Sequence, residues 1–342
     1  SKVKEATVDT ALLLAYAKCG RMSDVEEFLA TPNVADIQAV GDQLFDSEDY
    51  GAAKLLFASN GNNSKLACCR LALREFREAV DAAKNANSIR TWKEVNDACL
   101  TAGEYRLAEI CGLNIIGNPD HLEELVGHYE RGGHWEQLAT LLEHGMVQLE
   151  TPHKGIFTEL AVLFAKYKPD SLADHIKAHS SRLNHSKVLR ACEAYMHWKE
   201  ATFLHMEAKD HDQAVRVMIE HSPCAFDHER FLGVIQQVRN QELWYLGVGF
   251  YLQDQPLQLQ SLLQTLKDQL DPARVVQQLK QSDNLPLVRE YLKSVQGINN
   301  SSVNEALNEI FVDEEEYTAL RESVDSFDNF DALALAQQLE GH

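Results

Sequence analysis

A short pattern that recurs every 26 to 30 residues constrains this chain more than any other feature of its sequence. In the clearest copies an acidic or polar residue precedes a bulky one, and a small residue follows three positions later, as in Tyr105 and Ala108. The bulky residues of five successive copies are Met22, Tyr50, Phe76, Tyr105 and Trp135. Repeats of roughly 20 to 50 residues are typical of solenoids, in which each repeat packs only against its neighbours. The pattern therefore predicts a rod of stacked repeats.

The spacing of apolar residues within a repeat predicts two antiparallel helices. Apolar residues stand at helical intervals over residues 95–102 and again over residues 107–115, and Gly103 separates the two stretches. No alternating run of β-branched residues, typical of strands, occurs along the sequence. We therefore predict an all-α fold of stacked helix hairpins. We interpret residues 1–342 as one continuous solenoid with approximate repeat sections 1–150 and 151–342.

The net charge argues against two classes of partner. The chain has 32 Lys and Arg and 52 Asp and Glu, a formal net charge of −20. Nucleic acids and anionic membranes select basic surfaces, so we expect no nucleic acid partner and no direct membrane insertion. The last forty residues hold eleven acids against Arg321 alone. A solvated helix face is the simpler interpretation of these acids, and a docking surface for a basic partner is the alternative.

The cysteines and the apolar runs indicate a reducing, cytoplasmic setting. The seven cysteines are odd in number and form no CxxC motif, so we expect small buried thiols. No apolar run approaches the roughly 18 residues that a spanning helix needs. The first ten residues do not have the pattern of a signal peptide, and we expect both ends to be cut from a longer protein.

Few residues have a spacing that could support catalysis or metal binding. His175 and His179 stand four apart, but the residue after His175 is isoleucine where a zinc protease needs a glutamate base. His221, Cys224 and His228 form a second possible ligand set, without a fourth ligand of known position. Neither Gly-rich phosphate-loop motif occurs, and we attribute residues 247–249 to close helix packing. We expect no catalytic residue, no metal and no cofactor.

The tryptophans allow two interpretations. Trp135 and Trp198 occupy the bulky position of the repeat, and this favours a place in the core. Trp92 and Trp244 could also be core residues, or all four could anchor a partner. The fourteen histidines could make a surface that responds to mildly acidic pH.

Six runs of sequence resemble the clathrin heavy chain family, in the same order and nearly without gaps. They are residues 87–95, 104–113, 157–169, 187–193, 285–296 and 302–340. The match is to the proximal leg. The resemblance implies a right-handed α-solenoid of clathrin heavy chain repeats, without the propeller or the trimerisation domain. It also implies a non-enzymatic scaffold for vesicle-mediated transport and endocytosis, on the cytoplasmic face of coated pits and vesicles at the plasma membrane, Golgi and endosomes.

The resemblance also implies partners and a binding site. The clathrin light chain would lie as a long helix across the hairpins, and other heavy chain legs would make lateral contacts. Adaptors would link the coat to the membrane. Two family lysines contact the light chain: one falls on Lys166, with Lys168 beside it, and the other on Gln255. A lysine at position 255 would make a charge-assisted contact of roughly 1.5–3 kcal/mol. Gln255 can make at most a neutral hydrogen bond. The alternative is another cytosolic α-solenoid, such as a vesicle-tethering or sorting subunit.

Overall fold

The computed structural model describes residues 5–282 and 285–341, and these residues contain twenty-three α-helices and no strand. Residues 1–4 lie outside the described residues. They belong to the first ten residues, which do not have the pattern of a signal peptide. The helices are α1 (Ala6–Lys18), α2 (Met22–Ala30), α3 (Ile37–Asp46), α4 (Tyr50–Asn60), α5 (Asn63–Ala72), α6 (Phe76–Ala86), α7 (Ile89–Ala102), α8 (Tyr105–Ile116), α9 (Pro119–Arg131), α10 (Trp135–Gln148), α11 (Lys154–Tyr167), α12 (Leu172–His179), α13 (His185–Ala194), α14 (Trp198–Glu207), α15 (His211–Glu220), α16 (His228–Ile235), α17 (Gln241–Asp254), α18 (Leu259–Thr265), α19 (Pro272–Gln281), α20 (Arg289–Val295), α21 (Ser301–Asp313), α22 (Tyr317–Ser326) and α23 (Ala332–Gly341). Five short 3-10 turns join some of them: Pro169–Ser171, Ser180–Arg182, Pro256–Gln258, Leu285–Val288 and Gln296–Ile298.

The helices belong to two compact units, Ser1–Val188 and Leu189–His342. In the first unit, α1 packs on α3 and α5 on α7, while α2 packs on α4 and α6 on α8. In the second unit, α15, α17, α19, α21 and α23 form one such series, and α18 packs on α20. Successive hairpins thus stack with odd helices in one layer and even helices in the other. This arrangement confirms the prediction of an all-α solenoid. The sections 1–150 and 151–342 stay a prediction.

The bulky residue of each repeat is the first residue of a helix. Met22, Tyr50, Phe76, Tyr105, Trp135, Trp198 and His211 all have this position, and so does Tyr317. Two residues before each of them the backbone is left-handed: the residues are Gly20, Glu48, Arg74, Gly103, Gly133, Met196, Lys209 and Glu315. The next amide then donates to the carbonyl oxygen five residues earlier, as Glu104 does to Cys99 at 2.8 Å. This Schellman turn reverses the chain with only two or three residues between the helices.

The small residue of the repeat is buried, as the pattern predicts. Ala53, Ala79, Ala108, Ala201 and Ala214 are each at most 1% exposed. A small side chain at this position lets the next helix approach closely.

The prediction that Trp135 and Trp198 lie in the core is wrong, because both are only half-buried. A residue that begins a helix lies at the end of its hairpin, so its ring covers the turn from outside. Trp135 stacks on Tyr167 with 5.2 Å between ring centroids, and Trp198 stacks on His221 at 3.4 Å. In contrast, Trp92 and Trp244 are buried.

The interpretation of residues 247–249 is correct for one glycine only. A Cβ on Gly247 would lie 3.5 Å from the ring of Phe231, whereas a Cβ on Gly249 would meet nothing within 4 Å. The helices are therefore in contact at Gly247 but not at Gly249.

Most of the cysteines are buried thiols, as expected. Cys69, Cys99, Cys111 and Cys192 are buried, Cys68 is half-buried, and Cys19 and Cys224 are exposed; all seven are free. Burial raises the pKa of Cys99 to about 11, so this thiol stays protonated and unreactive at neutral pH.

The left-handed turns allow a first prediction. Met196 has a φ of 60°, a conformation that costs a non-glycine residue about 1–2 kcal/mol. We expect Met196→Gly to raise the free energy of unfolding by up to about 1 kcal/mol, after the greater flexibility of glycine in the unfolded chain is deducted. Urea denaturation followed by circular dichroism measures the change. Gly103→Ala is the converse control and should destabilise, whereas a destabilised Met196→Gly would contradict this account.

Candidate partner-binding surface

Lys166 lies in the last turn of α11, where two residues hold its side chain. Its Nζ is 3.0 Å from Oε1 of Glu130 in α9 and 4.8 Å from the centroid of the Tyr167 ring. Hydrogen bonding with Tyr167, and with Glu130, raises the pKa of Lys166 above its usual range. The side chain is 35% exposed. Lys166 is therefore a fixed positive charge that a partner can still reach.

Lys168 lies two residues further on and is also exposed. It caps the C-terminus of α11 with φ −141° and ψ 64°, and its Nζ is 5.6 Å from the centroid of the Phe164 ring. Within the described part of the chain, no carboxylate lies within ion-pair distance of Lys168. No carboxylate among the described residues therefore neutralises its charge.

Gln255 has the same local structure in the second unit as Lys168 has in the first. It caps the C-terminus of α17 with φ −137° and ψ 48°, and Pro256 then begins a 3-10 turn, as Pro169 does after Lys168. The resemblance implies that Lys166 and Gln255 make two separate contacts with the light chain. By its backbone, Gln255 is the counterpart of Lys168. The signal that could have revealed this is the proline after each residue.

The turn after α11 combines charge with aromatic surface. The ring planes of Trp135 and Tyr167 are 8° apart, and the Lys166 amino group lies over Tyr167. Fixed cations beside stacked rings can bind carboxylates and the apolar side chains next to them. An amphipathic acidic helix has both kinds of group.

The histidines considered as metal ligands make other contacts. His175 is buried, with Nε2 2.9 Å from the Phe157 carbonyl oxygen, and burial lowers the pKa of both His175 and His179. His221 stacks on Trp198, and His228 Nδ1 lies 2.8 Å from the hydroxyl of Tyr251. Across residues 5–282 and 285–341, no three His, Cys, Asp or Glu side chains come together as a metal site would require.

None of the described helices has the length and apolar character needed to cross a membrane.

Helix hairpins that stack each on the next define the α-solenoid class of repeat protein. The family model described as "Region in Clathrin and VPS" matches residues 1–107, 113–259 and 263–342. The chain therefore belongs to the clathrin-repeat family.

Curated relatives agree with this assignment along the whole chain. Clathrin heavy chain 1 of Oryza sativa subsp. japonica is 50% identical over 341 residues, which are 100% of this chain and 20% of the relative. The clathrin heavy chains of Dictyostelium discoideum and Drosophila melanogaster are each 45% identical with the same coverage. The chain thus spans about a fifth of the length of these relatives. The match to a solved structure of Naa15/Naa10 bound to HypK-THB covers 93% of this chain and 63% of that chain, with 13% identity and a TM-score of only 0.26.

Proposed function

We propose that this chain is a structural, non-enzymatic segment of a clathrin coat, corresponding to the proximal leg of the heavy chain. The observation that carries the proposal is the 50% identity to a clathrin heavy chain over 341 residues. This identity also favours a coat protein over a vesicle-tethering or sorting subunit of the same repeat fold. The proposed setting is the cytoplasmic face of coated pits and vesicles, with adaptors linking the coat to the membrane.

The proposed partner of the turn after α11 is the clathrin light chain, bound through Lys166 and Lys168. Lys166 is held in place by Glu130 and Tyr167, so little side-chain entropy remains to be lost on binding. Lys168 supplies a charge that no carboxylate of the described chain neutralises. At the counterpart position in the second unit, Gln255 offers a neutral hydrogen bond only. We therefore assign most of the electrostatic contribution to the first unit.

Charge reversal at Lys166 tests this assignment. We expect Lys166→Glu to weaken light chain binding by at least about tenfold, because a charge-assisted hydrogen bond of roughly 1.5–3 kcal/mol is lost and a like charge is introduced. Isothermal titration calorimetry with purified clathrin light chain measures the affinity. Gln255→Lys should strengthen the same interaction if the partner is acidic there.

Lys54→Glu is a matched control for this experiment. Lys54 and Glu75 form a similar pair, 2.7 Å apart and with side chains 29% and 34% exposed, elsewhere on the first unit. The control should keep both its helicity and its affinity for the light chain. An unchanged affinity of Lys166→Glu would exclude the site at α11, and a wild-type chain that binds no light chain would argue against the coat role.

A further inference from the structure

Three successive hairpin turns of the second unit expose apolar side chains at their tips. Leu257, in the turn after α17, is 89% exposed. Leu287, in the turn after α19, is 43% exposed, and Tyr317, the first residue of α22, is 52% exposed. Single exposed apolar residues are common, but a group of them marks a binding surface.

The stacking of successive hairpins places these residues along one edge, because each lies where an odd-numbered helix turns into the next even-numbered helix. The turn Leu285–Val288 packs against α18, which directly follows the turn Pro256–Gln258. Arg289, at the start of α20, donates to Glu314 at 2.5 Å and to Glu316 at 3.0 Å, and Glu316 immediately precedes Tyr317. We refer to Leu257, Leu287 and Tyr317 as the apolar tip row.

Negative charge surrounds the apolar tip row. Asp254 and Glu315 are exposed beside its first and last members. The cations nearby are already paired: Arg289 binds Glu314 and Glu316, and Lys293 lies 3.6 Å from Glu290. A partner that fits the row therefore combines an apolar contact with unneutralised positive charge.

The first unit has a turn with this complementary character, between α5 and α6. Leu73 is 38% exposed there, and both Arg74 and Arg77 are exposed. As far as the described residues show, neither arginine has a carboxylate within ion-pair distance. Residues 64–93 contain seven Lys and Arg against three Asp and Glu, in a chain whose totals are 32 and 52. We refer to Leu73, Arg74 and Arg77 as the basic turn.

We propose that the apolar tip row of one copy of this chain docks onto the basic turn of a second copy. The inference rests on the proposed coat function, which requires contacts between neighbouring legs, and it identifies the surfaces that make one of them. Two different patches meet in this contact, so it can continue from copy to copy instead of closing a pair. Each contact is small and therefore weak, and a coat gains its strength from many of them.

Charge reversal in two chains tests the proposal. For the full chain of 342 residues, we expect a sedimentation coefficient that rises with concentration up to about 1 mM and falls when salt shortens the Debye length from about 10 Å to about 3 Å. Arg74→Glu and Glu315→Arg should each weaken this association by at least about tenfold, because like charges then face each other. An equimolar mixture of the two variants should restore it, since each then presents the other with an opposite charge.

Control variants separate the contact from general effects of charge and folding. Glu48→Arg and Lys209→Glu make the same charge changes at left-handed turn residues with φ of 63° and 59°, and they should associate as the wild type does. Leu287→Asp should weaken association, whereas Val147→Asp, at a residue 82% exposed, should not. Circular dichroism checks that each variant is folded.

The proposal is overturned if the wild-type chain shows no concentration dependence, if the mixture does not restore association, or if the controls lose it equally. Light chain binding is measured on the same variants and should not change. A failed self-association with intact light chain binding would reject this contact and leave the proposed function standing.

Discussion

Phe231→Ala is expected to lower the free energy of unfolding by about 3–5 kcal/mol. Phe231 lies in α16 and is fully buried, with ring centroids of Phe226, Tyr251 and Phe250 at 5.6, 5.5 and 6.3 Å. Truncation removes apolar burial and leaves a cavity among rings that cannot collapse into it. The helix is only 8 residues long, too short to be stable without this packing.

Urea denaturation of the second unit, followed by circular dichroism and by the fluorescence of Trp198 and Trp244, measures this loss. Tyr195→Ala is the control, because Tyr195 is also aromatic and in the second unit but is 40% exposed. We expect the control to change stability by no more than about 0.5 kcal/mol. A loss of less than about 1 kcal/mol for Phe231→Ala would contradict the account of this core.

The hairpins could be predicted from the sequence because their signals are local. Apolar spacing and Gly103 were sufficient to place α7 and α8, since a glycine readily adopts the left-handed turn conformation. At Glu48, Arg74 and Met196 the same turn occurs without glycine. There the backbone conformation is imposed by the stacking of the two flanking helices, and residue type gives no signal of it.

The candidate site could be predicted only in part. The resemblance indicated Lys166, Lys168 and Gln255, but the pairing of Lys166 with Glu130 joins residues on α11 and α9 and depends on how these helices stack. The burial of Trp135 also depends on a stacking partner, Tyr167, from the following repeat. The apolar tip row was missed because its members come to the same edge only when successive hairpins stack. Contacts between repeats, unlike the helices themselves, have no local pattern in the sequence.

Gly112→Val is expected to lower the free energy of unfolding by about 3 kcal/mol, which is at the upper end of the usual cost of overpacking. A Cβ on Gly112 in α8 would lie 2.6 Å from Cδ2 and 2.9 Å from Cδ1 of Leu141 in α10. Leu141 is fully buried, so its side chain must shift within the core to make room. Gly145 in α10 has a similar contact, because a Cβ there would lie 2.6 Å from Cδ1 of Ile116. The two helices thus approach each other through glycine at two places.

The alanine variants of Gly112 and Gly127 separate this close approach from helix propensity. Gly127, inside α9, has nothing within 4 Å of a built Cβ, so Gly127→Ala should stabilise the first unit by about 0.5–1 kcal/mol. Gly112→Ala gains the same helix propensity but must displace Leu141. We therefore expect its free energy of unfolding to fall by about 1 kcal/mol or more. Urea denaturation shows whether each variant is more or less stable than the wild type. If Gly112→Ala were stabilised as Gly127→Ala is, α8 and α10 would have room to separate, and the spacing of neighbouring hairpins would not depend on glycine.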